Sequence, residues 1–127
     1  MGKQGERFVF QELKRIYVEK HKEPIEETSM GFKIGNKVEV IWKNISNNTT
    51  GNHDFKVIDM GKEIYIDSKA TPYGKNVEKV ALYISGNELS LMEMADKYLI
   101  ARVYNATSEN PIMEFVKLKI DSLIGIE

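Results

Sequence analysis

Asp54, Asp67 and Lys69 are the residues whose types and spacing could do chemistry together. They lie in the stretch His53-Asp54-Phe55-Lys56-Val57-Ile58-Asp59-Met60-Gly61-Lys62-Glu63-Ile64-Tyr65-Ile66-Asp67-Ser68-Lys69-Ala70-Thr71. Two β-prone runs are broken there by Met60-Gly61-Lys62, which holds the glycine a tight connection prefers. Along the second run side chains alternate, so Glu63, Tyr65, Asp67, Lys69 and Thr71 share one face and Ile64, Ile66, Ser68 and Ala70 the other. Asp67 and Lys69 are therefore neighbours pointing the same way, and an antiparallel return brings Asp54 opposite the end of the second strand. Two carboxylates beside an ammonium suit a hard cation that takes oxygen ligands. Without a cation, carboxylates about 4 Å apart repel by roughly 4 kcal/mol at an effective dielectric of about 20.

Plainer readings stand beside this one. Asp67 and Lys69 could form a surface ion pair worth about 0–1 kcal/mol, and Asp54 could end the Asn-rich loop as a turn residue. Composition narrows the chemistry: the chain has no cysteine and two histidines, which excludes disulfides, thiol catalysis, Cys-ligated zinc and a His-rich metal site. The formal net charge of −1 gives no global field toward nucleic acid or an anionic membrane. No run reaches the length of a membrane span and the N-terminus lacks the apolar core of a signal peptide, so a cytoplasmic protein with no membrane partner is expected.

The elements that must position these residues fit one domain spanning 1–127, of ordinary size for a single core. Residues 6–20 predict an amphipathic helix with Phe10, Leu13, Ile16 and Tyr17 inward. His21 is expected at its solvated end, and residues 21–37 as a polar connection with at most a short strand. Val38-Glu39-Val40-Ile41-Trp42 predicts a strand, and residues 46–52 a loop that delivers the chain to Asp54. Pro72 ends the hairpin. A strand over 79–84, a helix over 85–97 opened by Ser85-Gly86-Asn87-Glu88, and strands over 98–104 and 112–118 follow. This order favours a mixed sheet with helices packed on its faces.

Several segments resemble the PD-(D/E)XK nuclease superfamily, and more closely the small DUF3883 or NO VEIN C-terminal domains. They are Gly5-Glu6-Arg7, Val40-Ile41-Trp42-Lys43-Asn44, Gly51-x-x-Asp54-Phe55, Ile64-Tyr65-Ile66-Asp67-Ser68-Lys69-Ala70-Thr71, Ser85-Gly86-Asn87-Glu88 and Tyr98-x-Ile100-x-Arg102-Val103-Tyr104-Asn105. The resemblance implies a three-layer α/β/α, restriction endonuclease-like fold with a central mixed sheet of about five strands flanked by helices. It implies a phosphodiesterase site in which Asp54 and Asp67 hold Mg²⁺ or Mn²⁺ with the backbone carbonyl of Ser68 as a further oxygen. Lys69 would position the attacking water or stabilise charge on the phosphate, and Glu6 would be an additional acid reaching the metal through water. The implied partner is nucleic acid, DNA ahead of RNA, in a restriction, repair or defence setting, with a homodimer or a larger multi-protein system open. The implied activity is that of an endonuclease, and the alternative on the same fold is a non-catalytic nucleic-acid or protein binding module. Asp67 stands where the closer family usually has Glu, Ser68 where an apolar residue is common, and His53 where the superfamily's name has proline. Glu6 reads equally as a first-turn acid favoured by the helix dipole. Trp42 and Tyr104 read as core aromatics.

Overall fold

The structure, a computed structural model, describes residues 2–44, 53–74 and 97–116. Helix α1 (Gly2–His21) is followed by strands β1 (Glu26–Thr28), β2 (Gly31–Ile34), β3 (Val38–Trp42), β4 (Phe55–Asp59), β5 (Lys62–Ala70), β6 (Tyr98–Tyr104) and β7 (Ile112–Val116). The described strands form one mixed sheet in the order β1-β2-β3-β4-β5-β6-β7. Neighbours are antiparallel except β5 and β6, which run parallel.

Helix α1 lies on one face of this sheet. Its inward stripe is Val9, Phe10, Leu13 and Tyr17, the helical spacing that puts one face against a core. The Phe10 ring stands 5.6 Å from Phe32, 4.9 Å from Trp42 and 6.4 Å from Phe55, within the range aromatic pairs prefer. Val40, Val57, Ile64, Ile66, Ala101 and Val103 complete the core. The helix ends where Lys22 takes a left-handed backbone, φ 56°, and its N–H donates to the Val18 carbonyl. Lys20 and His21 in the last turn complement the helix dipole.

The hairpin stands as its alternation predicts. Asp59 pairs with Lys62 across Met60 and Gly61, whose φ values of 52° and 85° match the two-residue turn favoured between twisted strands. Two expectations are corrected. The sheet has seven described strands rather than about five, because residues 21–37 hold β1 and β2 instead of a polar connection. Gly31, which reads as a turn residue, lies in β2 at a position that requires glycine, since a Cβ there would sit 2.0 Å from the Val40 carbonyl oxygen. Among the described residues one helix covers one face. The expected strand over 79–84, the helix over 85–97 apart from its last residue, Glu88, and the loop over 46–52 lie outside the described residues. No helix among the described residues is long and apolar enough to cross a membrane.

Candidate functional site

Strand β5 divides the site residues between the two sheet faces. Ile64, Ile66, Ser68 and Ala70 face α1: the α1 glycine Gly5 approaches so closely that a Cβ on it would lie 2.7 Å from Ala70 Cβ and 3.7 Å from Ser68 Oγ. Asp67 and Lys69 therefore point to the opposite face. Asp67 is 6% exposed, and the Lys69 ammonium stands 3.0 Å from its Oδ2. The neighbouring pair predicted from alternation is thus formed, and it is largely buried rather than a surface bridge.

Asp54 precedes β4 at the same end of the sheet. Its N–H donates to the Ile66 carbonyl at 2.9 Å, one residue off the regular β4–β5 register that begins with Phe55 opposite Ile66. The Asp54 carbonyl accepts from the Lys43 N–H at 2.9 Å, and the Ser68 N–H donates to Asp54 Oδ2 at 2.8 Å. The Asp54 carboxylate consequently sits against the Asp67–Ser68 peptide. Sequence order alone suggested that Asp54 and Asp67 meet at the end of the hairpin, and the structure brings Asp54 there through a main-chain bond of Ser68.

Among the described residues, Glu6 reaches Asp54 through an intermediary. Glu6 Oε1 accepts from the Trp42 indole N–H at 2.8 Å and from the Asn44 side-chain amide at 3.1 Å. The same Asn44 amide donates to Asp54 Oδ1 at 3.1 Å. Asn44 is 7% exposed, and its carbonyl accepts from Lys3, whose ammonium lies 4.9 Å from the Trp42 ring centre. Among the described residues no group of three or more His, Asp or Glu side chains gathers as a metal cage. Glu6, Asp54 and Asp67 are accordingly not a three-acid cluster.

Two further features border the site. His53 lies edge-on to Tyr65, ring centres 4.9 Å apart. Burial pushes its pKa down, Lys43 and Lys56 push the same way, and Asp54 opposes them. On the face of Asp67 and Lys69, the sheet register sets Arg102 beside Lys69 and Glu114 beside Arg102. Arg102 is 6% exposed, with its guanidinium 5.7 Å from the Tyr104 ring centre. Asn44 and Arg102 carried no assigned role in the sequence. The signal for Arg102 was there, a single charge inside an apolar β-run, since such a residue is rarely buried without a partner. Asn44 closed one of the segments that carry the resemblance, without a role attached to it.

Comparison with curated proteins and with solved structures finds no match. The family model described as "Protein NO VEIN, C-terminal" matches residues 5–118, from the Gly5 that seats α1 on β5 to just beyond β7. That match spans every element from which the site is built, and the chain belongs to the NO VEIN C-terminal domain family.

Proposed function

We propose that this domain is a metal-dependent nuclease of the PD-(D/E)XK type, hydrolysing phosphodiester bonds of nucleic acid, DNA ahead of RNA, in a restriction, repair or defence setting. The observation that carries the proposal is the seating of Asp54 on the N–H of Ser68, the residue between Asp67 and Lys69, whose side chains stand 3.0 Å apart. The donor set fits Mg²⁺ or Mn²⁺: such ions take one or two protein carboxylates and leave the remaining positions to water and substrate phosphate. Asp54 and Asp67 would hold the ion, with the Ser68 carbonyl as a further oxygen. Among the described residues each Asp54 oxygen accepts one protein donor, which leaves a second lone pair on each. When bound, the ion supplies a Lewis acid at a phosphoryl oxygen and lowers the pKa of coordinated water.

The chain's own residues do the rest. Asp67 fixes Lys69 within the sheet face, so that a compact positive charge stands where negative charge builds on the phosphate. Lys69 also orients the water whose oxygen bonds to phosphorus as the leaving oxygen departs. Among the described residues, Glu6 touches the site through Asn44.

A second reading, a non-catalytic nucleic-acid or protein binding module, draws on the use of both Asp54 oxygens by protein donors, which by itself satisfies the open end of the sheet. Plasmid and single-stranded substrates incubated with Mg²⁺ or Mn²⁺ separate the two. Cleavage by the wild type should fall about 100-fold or more in Lys69→Ala, the loss typical of removing one transition-state charge donor, and should vanish in Asp54→Ala. Wild-type cleavage no faster than either variant would abolish the nuclease reading and leave the binding module.

A further inference from the structure

We infer that Asn44 and Glu6 are positioning residues that aim the Asp54 carboxylate, with Glu6 acting through Asn44 rather than on a metal. The inference rests on the proposed reading of Asp54 as a site acid.

The turn after β3 places Asn44 between two carboxylates that come from distant parts of the chain. A primary amide nitrogen carries two hydrogens, and this one donates to Glu6 Oε1 and to Asp54 Oδ1, each at 3.1 Å. Asp54 is thereby held by one donor on each oxygen, Asn44 on Oδ1 and the Ser68 N–H on Oδ2, and the two bonds together fix the plane of the carboxylate. Glu6 is anchored in turn by the Trp42 indole at 2.8 Å. Bonds to an ionised acceptor are roughly twice as strong as neutral ones, so the chain Trp42–Glu6–Asn44–Asp54 is stiff for its length.

Residue type supports the assignment. An acid at position 44 would face two carboxylates with no hydrogen to offer, and an aliphatic residue would leave two part-buried carboxylates short of a donor, which is costly. An amide satisfies both acids without adding charge. Gly5 supplies the remaining condition, because the missing Cβ lets the first turns of α1 close on β5 and carry Glu6 to the end of β3. Partners of this outer kind usually change metal affinity 10- to 100-fold when removed.

The test uses the intact chain and two readouts. The first is the Ser68 amide proton in a metal-free ¹⁵N–¹H spectrum, since that proton is bonded to Asp54 Oδ2 and reports where the carboxylate points. Asn44→Ala should move it in the same direction as Asp54→Ala while the Leu13 amide in the core stays in place. Glu6→Ala should move both the Ser68 amide and the indole N–H of Trp42, the single tryptophan of the chain. The second readout is Mn²⁺ binding by calorimetry, where Asn44→Ala should raise Kd about 10- to 100-fold. If Asn44→Ala fails to give a dispersed spectrum, Asn44→Ser, whose side chain is one bond shorter, makes the same comparison. A Ser68 amide unmoved by the Asn44 variant but moved by Asp54→Ala overturns the inference whether or not Mn²⁺ binds. A moved amide in a protein that binds no Mn²⁺ instead overturns the metal-site reading and leaves the positioning role standing.

Discussion

Asp54 and Asp59 bracket β4, and the chain treats them differently. Asp54 is held by an amide and a main-chain N–H at the end proposed for chemistry, whereas Asp59 is clasped by Lys20 and His21 of α1. Lys20 donates to Asp59 Oδ2, His21 Nε2 lies 3.2 Å from Oδ1, and the His21 ring stacks on Tyr17. The expectation that His21 is a solvated helix end is thus corrected: its side chain is only 10% exposed. That pairing was not legible because its partner lies 38 residues away and alternation says nothing about which distant strand end meets a helix terminus. Asp67 and Lys69 were legible because they are two residues apart on one strand. Burial alone would raise the Asp59 pKa, but the hydrogen bonds from Lys20 and His21 outweigh it and hold the carboxyl below its ordinary value. A depressed folded pKa gives stability that is present above the unfolded value and lost as pH falls through the folded one. Tyr17 behaves in the opposite sense: burial and Asp59 push its pKa up to about 12, so its contribution is full below about pH 10 and lost as pH rises toward 12. Urea unfolding across pH should therefore show Asp59→Asn flattening the acid limb and costing about 1–3 kcal/mol at neutral pH, and Tyr17→Phe flattening the alkaline limb. Unchanged limbs in both variants would mean that the clasp does not hold in solution.

At the scale of elements, legibility followed the strength of the local pattern. The β4–β5 hairpin, β3 and β6 have long β-branched or alternating runs and fall where the sequence places them. Strand β2 carries the same alternation in miniature, with Phe32 and Ile34 fully buried on either side of Lys33, but two glycines and a proline nearby read as a connection. Strand β1 has no apolar signal at all; as an edge strand it exposes Glu26 and Glu27, the first of which pairs with Lys33 across the ladder. The helix begins at Gly2, earlier than periodicity suggests, because its first turns are pressed on β5 at Gly5. In Gly5→Ala the new methyl meets Ala70 Cβ, which cannot swing away. Overpacking costs about 1–3 kcal/mol, against a helix-propensity gain of about 1 kcal/mol, so the variant should lose up to about 2 kcal/mol in urea unfolding and loosen the Glu6–Asn44 bond. Adding Ala70→Gly opens the space again and should recover at least half of that loss. A stabilised single variant would contradict the close approach.

At the scale of the whole molecule, several cations among the described residues are balanced by nearby acids. Lys14 pairs with Glu27, Lys33 with Glu26, Lys37 with Glu23 and Arg15 with Glu12 and Glu19, which together with a net charge of −1 leaves little long-range field. The register of the parallel β5–β6 pair keeps Asp67, Lys69 and Arg102 on the face away from α1, so the proposed contact with nucleic acid is expected at that end of the sheet. Cations near it among the described residues include Lys43 and Lys56, both near enough to bear on His53, with Lys56 also 3.2 Å from Glu63. Binding that relies on about two or three phosphate contacts has a shallow salt dependence, a slope of log K on log salt near −2 to −3. Raising salt from about 50 to about 200 mM should then weaken duplex binding roughly 15- to 60-fold, not the thousandfold or more of proteins with a broad basic face. Fluorescence anisotropy with a labelled duplex in Ca²⁺, which takes oxygen ligands as Mg²⁺ does, measures this slope. Lys43→Ala and Lys56→Ala should each reduce it by about 1 and weaken binding evenly across sequences, as loss of a phosphate contact does. A slope steeper than about −5, or one that neither substitution changes, would place the nucleic-acid contact on another surface and separate it from the Asp54 site.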